Sequence, residues 1–407
     1  MKIKRLFCCG AAMFLATTNA DALTINLIPR GDIAGSDIER GMKTAALYWS
    51  SILTNDATIN LGVSYSYSYL GGADPVYRTY SVQDWERQIG LTRSGSTLDQ
   101  AAILPTLNAQ GGATFLTDAT TPDGRIDTAK AVLVDGDTVS SRMLKANTSV
   151  LKAIGGIDAH DQAIDGELQF AASPDLWDFD PTDGIDQMLV DFLATAIHEI
   201  GHALGFVSGV DLLDPAGDPN APDGITYDLS GTPTFTALDM FRYSNDLSLV
   251  VPGDQPMLDL SVGTASYFSI DGGETQVFGD SGFSTGEYNG NGQQASHWRL
   301  VTDASDPCNQ QIGMMAPVIC QGHGRTVTAL DLAAFDAMGW NTRFDVLMNP
   351  GYRASSADIY RQFQSAVPEP ESWAMMLAGF AMIGGALRGR RTRPSVRIDL
   401  AAPSKAG

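Results

Sequence analysis

Residues 196–208 read AIHEIGHALGFVS, and this stretch decides the fold. It belongs to a longer pattern, residues 186–204, in which apolar side chains recur at spacings of three and four and predict an amphipathic helix. On that helix His198 and His202 are four residues apart, so both imidazoles project from one face and can bind one zinc ion. Glu199 points to the side, where it can take a proton from a water molecule that the metal activates. The pattern therefore predicts the core of a zinc hydrolase.

The ends of this helix also carry signals. Asp183 or Asp186 can cap its start, and Gly205 suits the left-handed turn that ends it. The alternative interpretation is two histidines packed on an ordinary core helix. With only five histidines in 407 residues, chance rarely produces this spacing.

The chain is strongly acidic. It has 26 basic and 47 acidic residues, a net charge of −21, which argues against nucleic-acid binding and suits an exported protein. Calcium is a further candidate cofactor, and Asp178, Asp180 and Asp183 form the densest acidic cluster. Their spacing departs from that of a calcium-binding loop, so a solvated loop is the simpler interpretation.

The N-terminal sequence predicts that the protein is exported. Basic residues followed by the apolar run 6–16 and by small residues predict a signal peptide at 1–22. The body, 23–366, is then long enough for two subdomains, 23–205 and 206–345, around one cleft.

Periodicity predicts the main elements of this body. Two strands, a metal-binding helix and a loop-rich second half ending in a closing helix indicate the α+β class. Tyr65, Tyr67 and Tyr69 share one face of the first strand and favour a packed sheet face. Besides the metal helix, the predicted helices are 37–53, 138–154 and 328–338, and the predicted strands are 59–70 and 166–172.

A catalytic zinc takes three protein ligands and keeps one position open, so a third ligand is needed. Glu274 and Glu287 could supply it from a later helix, but both lie in Gly-rich stretches that disfavour one. In the compact pattern HExxHxxGxxH/D the third ligand comes six residues after the second histidine. Gly205 matches this pattern, but the last position here is Ser208, and Asp211, three residues on, is an alternative ligand. The remaining histidines outside the helix are His160, His297 and His323.

One of these histidines lies in a recognisable context. His297 follows Ala-Ser and precedes Trp298, and residues 313–317 read GMMAP. Over 197–340 the chain resembles the leishmanolysin-like branch of the metzincin zinc proteases. The resemblance implies a zincin fold, His297 as the third zinc ligand, and Met315 as the Met-turn methionine that forms an apolar floor beneath the metal. Pro317 replaces the tyrosine that some metzincins place there, so no oxyanion partner other than zinc is assigned.

Four cysteines complete the pattern. Cys8 and Cys9 belong to the predicted signal peptide. Cys308 and Cys320 bracket the Met-turn, and in an exported protein a disulfide between them is expected. The absence of cysteine between positions 9 and 308 excludes a cysteine-switch propeptide.

The C-terminal region carries a further resemblance. Residues 367–371 read VPEPE, an apolar run follows at 373–387, and arginines come next. This resembles the PEP-CTERM sorting signal, here 367–393, with a tail at 394–407. It implies handling by export and sorting machinery and delivery to the cell surface or extracellular matrix of a Gram-negative bacterium. A plain membrane anchor is the alternative.

Two functions follow as hypotheses. The main one is a zinc-dependent endopeptidase that acts on protein or peptide substrates, with Glu199 as general base and the substrate lying along an edge strand at 166–172. The other is a non-catalytic surface or matrix protein with a structural zinc site, which would be closed by a fourth ligand such as Asp211 or His323. The sequence has no feature that points to a non-peptide bond.

Overall fold

The computed structural model describes residues 23–135, 137–217, 227–228, 230–245, 256–301, 308 and 311–364. The predicted signal peptide and the predicted sorting signal and tail lie outside the described residues. The strands are β1 (Thr24–Pro29), β2 (Thr58–Ser66), β3 (Gly71–Pro75), β4 (Tyr77–Ser81), β5 (Phe115–Thr120), β6 (Ile126–Val134), β7 (Met143–Asn147), β8 (Gly166–Ala171), β9 (Trp177–Asp178), β10 (Val190–Asp191), β11 (Arg242–Ser244), β12 (Met257–Leu258), β13 (Tyr267–Phe268), β14 (Thr326–Thr328) and β15 (Arg353–Ser355). The α-helices are α1 (Asp37–Ile52), α2 (Val82–Thr92), α3 (Thr97–Ala101), α4 (Val139–Arg142), α5 (Thr148–Ala153), α6 (Phe192–Ala203), α7 (Val210–Gly217), α8 (Ala329–Met338) and α9 (Ser356–Phe363).

A four-stranded sheet with the order β1-β2-β8-β3 packs against α6, the helix that carries His198 and His202 and is called the metal helix below. The first three strands are parallel, and β3 runs antiparallel at the edge. Ile59, Leu61 and Val63 of β2 are buried, as expected for a central strand of apolar and β-branched residues. The strand predicted at 166–172 exists as β8, but its predicted place at the sheet edge is wrong. It lies inside the sheet, and the open edge belongs to β3.

A buried ion pair ties α5 to this sheet. The Lys152 ammonium lies 2.7 Å from the Asp165 carboxylate, and each side chain is 1% exposed. Lys152 also donates to the backbone carbonyls of Thr58 and Asp161, at 2.9 and 2.7 Å. Asp165 in turn accepts from the backbone N–H of Asn60 and from a threonine hydroxyl of α5. All three ammonium protons therefore have partners.

Replacing this lysine tests the importance of the pair. Lys152→Met is expected to lower the free energy of unfolding by about 3–5 kcal/mol, because it leaves an uncompensated carboxylate in the interior. Lys43→Met is the matched control, since Lys43 forms an exposed pair with Glu39 along α1 and should change stability by less than about 1 kcal/mol. Urea denaturation measures both variants. Equal effects would contradict the structural role of the buried pair.

The metal helix is shorter at its start than the sequence predicts. Asp191 is its N-cap and accepts the Ala194 backbone N–H at 2.9 Å. The prediction of a cap at Asp183 or Asp186 is therefore wrong. Asp183 ends a short 3-10 turn, and Val190 and Asp191 form β10, which pairs with β9, so the α-helix begins only at Phe192.

Gly205 ends the helix region as predicted. Its φ angle is 121°, and a Cβ there would lie 2.6 Å from the Val150 side chain, so both backbone and space require glycine. Every residue of α6 is buried. The indole of Trp49 on α1 donates to the Ile197 carbonyl at 3.1 Å and packs against Phe335 of α8 with ring centroids 4.7 Å apart. The metal helix is thus enclosed by the sheet, α1 and α8.

Other predictions from periodicity divide into two groups. The helices predicted at 37–53 and 328–338 are confirmed as α1 and α8, and Gly339 follows α8 with φ of 120°. The helix predicted at 138–154 is wrong, since this segment forms α4, β7 and α5 in succession. Its middle pairs with β4 in an antiparallel ribbon, and that pairing overrides the local helical pattern.

The tyrosine stripe is also different from the prediction. The strand ends at Ser66, and only Tyr65 packs partly against the core. Tyr67 and Tyr69 follow the strand and are 91% and 45% exposed. The prediction of a packed sheet face is therefore wrong for these two residues.

Buried aspartates organise the irregular second half of the chain. Asp214 accepts the backbone N–H groups of residues 288 and 289, both at 2.8 Å. Asp239 accepts those of residues 209 and 236, at 2.7 and 2.9 Å. Carboxylates can satisfy backbone donors that no helix or sheet satisfies, which stabilises loops in the interior. Part of the acidic composition is therefore structural.

The described residues up to Phe363 belong to one compact unit, and the proposed division at 205/206 stays a prediction. Beyond position 345 the chain continues into β15 and α9, and β15 pairs with β14. None of the described helices is long and apolar enough to span a bilayer.

Candidate metal centre

Three histidines from two distant parts of the chain converge at the cleft. They are His198 and His202 on α6 and His297 from a later loop. The Nε2 atoms of the two helix residues are 3.0 Å apart, and each lies 3.2 Å from Nε2 of His297. All three side chains are buried. The structure thus brings His297 to the pair that the helix spacing places together.

The other ring nitrogen of each histidine is held by a backbone carbonyl. A carbonyl oxygen only accepts hydrogen bonds, so each Nδ1 must carry a proton, and in the neutral ring Nε2 then presents a lone pair. Burial lowers the pKa of all three imidazoles, to about 4 for His202, which favours the neutral form. The Nδ1 partners are Met314 O for His198 (2.9 Å), Phe206 O for His202 (2.7 Å) and Gln294 O for His297 (3.2 Å).

This donor set fits a zinc ion. Three lone pairs that face one another at 3.0–3.2 Å cannot hydrogen-bond among themselves, and a cation between them satisfies all three. A tetrahedral zinc with Zn–N bonds of about 2.0–2.1 Å requires nitrogens about 3.3 Å apart. The residues present match that spacing and leave a fourth position for another ligand.

Glu199 lies between this cluster and the edge strand. Its side chain is 5% exposed, and burial raises its pKa to about 8, opposed by the nearby Arg325 guanidinium. A Cβ added to Gly71 of β3 would lie 2.8 Å from Glu199 Oε1 and 2.9 Å from Thr195 Cγ2. Glycine at position 71 therefore lets the strand approach α6 closely, directly beside the Glu199 carboxylate.

Met315 packs against the metal helix from below. A Cβ added to Gly201, one residue before His202, would lie 2.6 Å from the Met315 sulfur. Met315 is completely buried. The methionine predicted to form an apolar floor thus lies against the turn of helix between the two histidines.

Asp331 on α8 holds this floor and the third histidine together. Its Oδ1 accepts from the Trp298 indole at 2.8 Å and from the Met315 N–H at 3.1 Å. Its Oδ2 accepts from the N–H groups of Met314 and Thr328, at 2.8 and 2.7 Å. Since Trp298 follows His297, one buried carboxylate connects the third histidine, the methionine turn and the start of α8. Sequence reasoning missed this residue.

Replacing Asp331 should damage both stability and metal binding. Every partner of this carboxylate is a donor, so the amide of Asp331→Asn would place its NH₂ group against other donors. We expect the free energy of unfolding to fall by about 3 kcal/mol or more, and zinc affinity to fall by roughly 10–100-fold. Thermal unfolding and competition with a zinc chelator measure the two effects. Asp358→Asn is the control, because Asp358 is an exposed residue in the first turn of α9 whose carboxylate accepts from the Ser355 hydroxyl. Matching losses in both variants would contradict the role of Asp331.

Arg325 is a second residue that the sequence did not reveal. It is 5% exposed, donates to the Ala316 carbonyl at 2.5 Å and to the Gln311 side chain at 2.8 Å, and lies 3.4 Å from His198 Nδ1. Burial lowers its pKa to about 10, while Asp331, Asp191 and Glu199 oppose the shift. The guanidinium braces the loop after Met315 against α6.

Asp211 lines the cleft but lies outside the histidine cluster. Its Oδ1 accepts the Ala295 N–H at 2.6 Å, and its Oδ2 accepts the Ser296 N–H at 3.0 Å and the Ser296 hydroxyl. Its carboxylate therefore fixes the backbone that precedes the third histidine. The geometry gives no support to Asp211 as a metal ligand.

The other candidate residues lie elsewhere. His160 is exposed and contacts the Thr58 hydroxyl, and the half-buried His323 contacts the Gln321 carbonyl. Cys308 and Cys320 form the predicted disulfide. Among the described residues, Asp178, Asp180 and Asp183 form no metal-binding group by their geometry. Asp178 and Asp180 accept loop hydrogen bonds, and calcium stays a prediction.

A cleft of about 700 Å³ opens above the histidines. Its upper rim is the edge strand β3, which has β8 as a neighbour on one side only. Its lower rim includes residues 207–209 and, after the methionine turn, Pro317 and Ile319. The three histidines and Glu199 line its centre. The arrangement can hold an extended chain between an open strand edge and a metal.

Comparison with known proteins identifies one segment. Residues 366–391 match the PEP-CTERM protein-sorting motif, which confirms the signal predicted at 367–393. The motif indicates export and cell-surface sorting in a Gram-negative bacterium, through recognition by export and sorting machinery. No curated protein and no solved structure matches the chain.

Proposed function

We propose that this protein is a surface-sorted, zinc-dependent endopeptidase with a metzincin-like zincin fold. The observation that carries the proposal is the convergence of three Nε2 lone pairs beside a carboxylate, at the centre of a cleft with an open strand edge. The sheet with its antiparallel edge strand, the metal helix, the glycine turn and the buried methionine floor are consistent with such a fold. The sorting motif supports a location at the cell surface or in the extracellular matrix.

His198, His202 and His297 would hold the zinc ion. When bound, zinc supplies a Lewis acid that polarises a peptide carbonyl and lowers the pKa of a water molecule. The backbone carbonyls that accept from each Nδ1 fix the tautomer and the orientation of the three rings. The methionine floor and Asp331 keep the third histidine in position beneath the cleft.

Glu199 would move the proton. Its carboxylate accepts a proton from the attacking water and then donates it to the leaving amine nitrogen, so that both products leave neutral at the cleaved bond. Because Glu199 lies next to Gly71, it would be beside the backbone of a substrate that lies along β3. The carboxylate is therefore close to the bond that is cleaved.

The substrate would pair with β3. An extended peptide can add to an open sheet edge through main-chain hydrogen bonds, which gives affinity without a strict sequence requirement. The strand β3 replaces the segment 166–172 as the proposed binding strand, because β8 already has a neighbouring strand on each side.

A structural zinc in a non-catalytic protein is the competing function. Such a site usually has four protein ligands. Neither Asp211 nor His323, the candidates for a fourth, belongs to the cluster. Access from the cleft and the neighbouring Glu199 favour catalysis.

Hydrolysis of casein and of a quenched-fluorescence peptide library by the purified protein tests the proposal. We expect cleavage that 1,10-phenanthroline abolishes and added zinc restores. Zinc-loaded protein that leaves every substrate intact would contradict the proposed activity.

A further inference from the structure

One lysine lines the cleft of this acidic protein. Lys145 lies on β7, in the ribbon that β7 forms with β4. Its backbone N–H donates to the Phe235 carbonyl at 2.6 Å, which fixes the strand, and its ammonium lies 4.0 Å from the centroid of the Tyr77 ring. Both Lys145 and Tyr77 line the same cleft as the histidines. The charge is thus held on a rigid element, over an aromatic face.

The position of this lysine along the cleft follows from β3. Gly71, at the start of β3, lies beside Glu199, and the strand runs from there to Pro75. Tyr77 follows two residues later at the start of β4. Lys145 therefore lies toward the end of the cleft that is farther from Glu199 along β3. A substrate antiparallel to β3 would place there the residues that precede the cleaved bond.

The charge of Lys145 is incompletely balanced. Among the described residues, no carboxylate lies within 4.0 Å of its ammonium, and Lys145 is the only lysine or arginine among those that line the cleft. Asp211 is the acid whose charge acts on Lys145, but its oxygens already accept from Ala295 and Ser296. Asp74 of β3 also lines the cleft, and its charge acts on the Tyr77 ring beneath the lysine. Half-burial lowers the pKa of Lys145 and Asp211 opposes this shift, so an incoming carboxylate would meet a partly desolvated cation.

We propose that Lys145 selects substrates with an aspartate or glutamate among the four residues that precede the cleaved bond. The inference rests on the proposed peptidase function for its biological meaning. Charge complementarity gives specificity in two ways. An acidic side chain forms an ion pair with Lys145, whereas a neutral or basic side chain desolvates the ammonium without balancing its charge. The ammonium over Tyr77 is the feature that recognises the carboxylate.

The first test is a binding measurement that does not need catalysis. Fluorescent peptides carrying Glu or Gln at one position, scanned over the four sites, are titrated with zinc-loaded Glu199→Gln protein, and their anisotropy is measured. At one position the Glu peptide should bind about tenfold more tightly than its Gln partner. In the double variant Glu199→Gln/Lys145→Met this ratio should fall to about one. In the double variant with Lys145→Glu, a peptide with Lys at the same position should bind more tightly than the Glu peptide.

The second test compares cleavage. For wild type and for Lys145→Met, the ratio of kcat/KM for the Glu and Gln peptides is measured, so that any general loss of activity in the variant cancels. A ratio near ten in wild type and near one in the variant supports the inference. Equal kcat/KM values for both peptides in wild type, with equal affinities in the binding test, overturn it. Charge-selective binding without any cleavage by wild type would instead overturn the peptidase function and leave the role of Lys145 intact.

Discussion

Glu199→Gln is expected to lower kcat/KM for peptide hydrolysis by about 10²–10⁴-fold while the protein keeps its zinc. Glutamine has nearly the same shape, so the packing against Gly71 and Thr195 is retained. The amide cannot accept a proton from water or return it to the leaving nitrogen. Since the proposed metal donors are the imidazoles of His198, His202 and His297, the substitution leaves them unchanged. Cleavage rates and zinc content are measured on the same preparations.

A matched control separates chemistry from a general effect of the substitution. Glu274→Gln makes the same change at an exposed loop position outside the cleft and should leave kcat/KM unchanged. Full activity in Glu199→Gln would show that another group moves the proton. Loss of zinc from this variant would show that Glu199 acts through the metal site instead.

His297→Ala is expected to weaken zinc binding by more than about 10²-fold and to abolish hydrolysis, because ligand loss exceeds the 10–100-fold effect of altering an outer hydrogen bond. The variant leaves two imidazoles on α6, which cannot complete the three-nitrogen set. Zinc retained after dialysis against a competing chelator is the direct measurement. A lowered melting temperature should accompany the loss, since zinc binding stabilises the folded state.

His160→Ala provides the control for His297→Ala. His160 is exposed and contacts the Thr58 hydroxyl, so its loss should leave zinc affinity unchanged. Wild-type zinc affinity in His297→Ala would contradict the site, and would direct attention to another third ligand.

Local periodicity predicted the elements whose structure depends mainly on local sequence. The amphipathic patterns of α1 and α8 and the strand β8 appear close to their predicted bounds. The geometry of His198 and His202 follows from the helical repeat alone. The position of His297 could be predicted only from the resemblance of its surrounding sequence to a known family, because 95 residues separate it from His202.

The errors occurred where distant pairing decides the structure. Residues 138–154 have a helical pattern, but β7 within them pairs with β4. The strand β3 reads Gly-Gly-Ala-Asp-Pro, which has low β-propensity, and it forms because β8 and α6 hold it. Such long-range partners leave little trace in one sequence.

The supporting residues of the site were missed for a related reason. An aspartate near a zinc motif can be a ligand or part of the scaffold, and for Asp211 the partner that decides is Ser296, 85 residues away. Asp331 appeared in the sequence as an ordinary residue of a helix start. Its hydrogen bonds to Trp298 and Met315 become visible only in the fold.

Zinc K-edge X-ray absorption of the purified protein tests the central claim most directly, namely that three histidines hold one zinc ion whose fourth position opens to the cleft. We expect about one zinc per chain, with three imidazole nitrogens at about 2.0 Å and one oxygen from solvent. Displacement of that oxygen by a hydroxamate inhibitor should change the spectrum. A zinc ion with four protein ligands, or a protein that binds no zinc, would contradict the account.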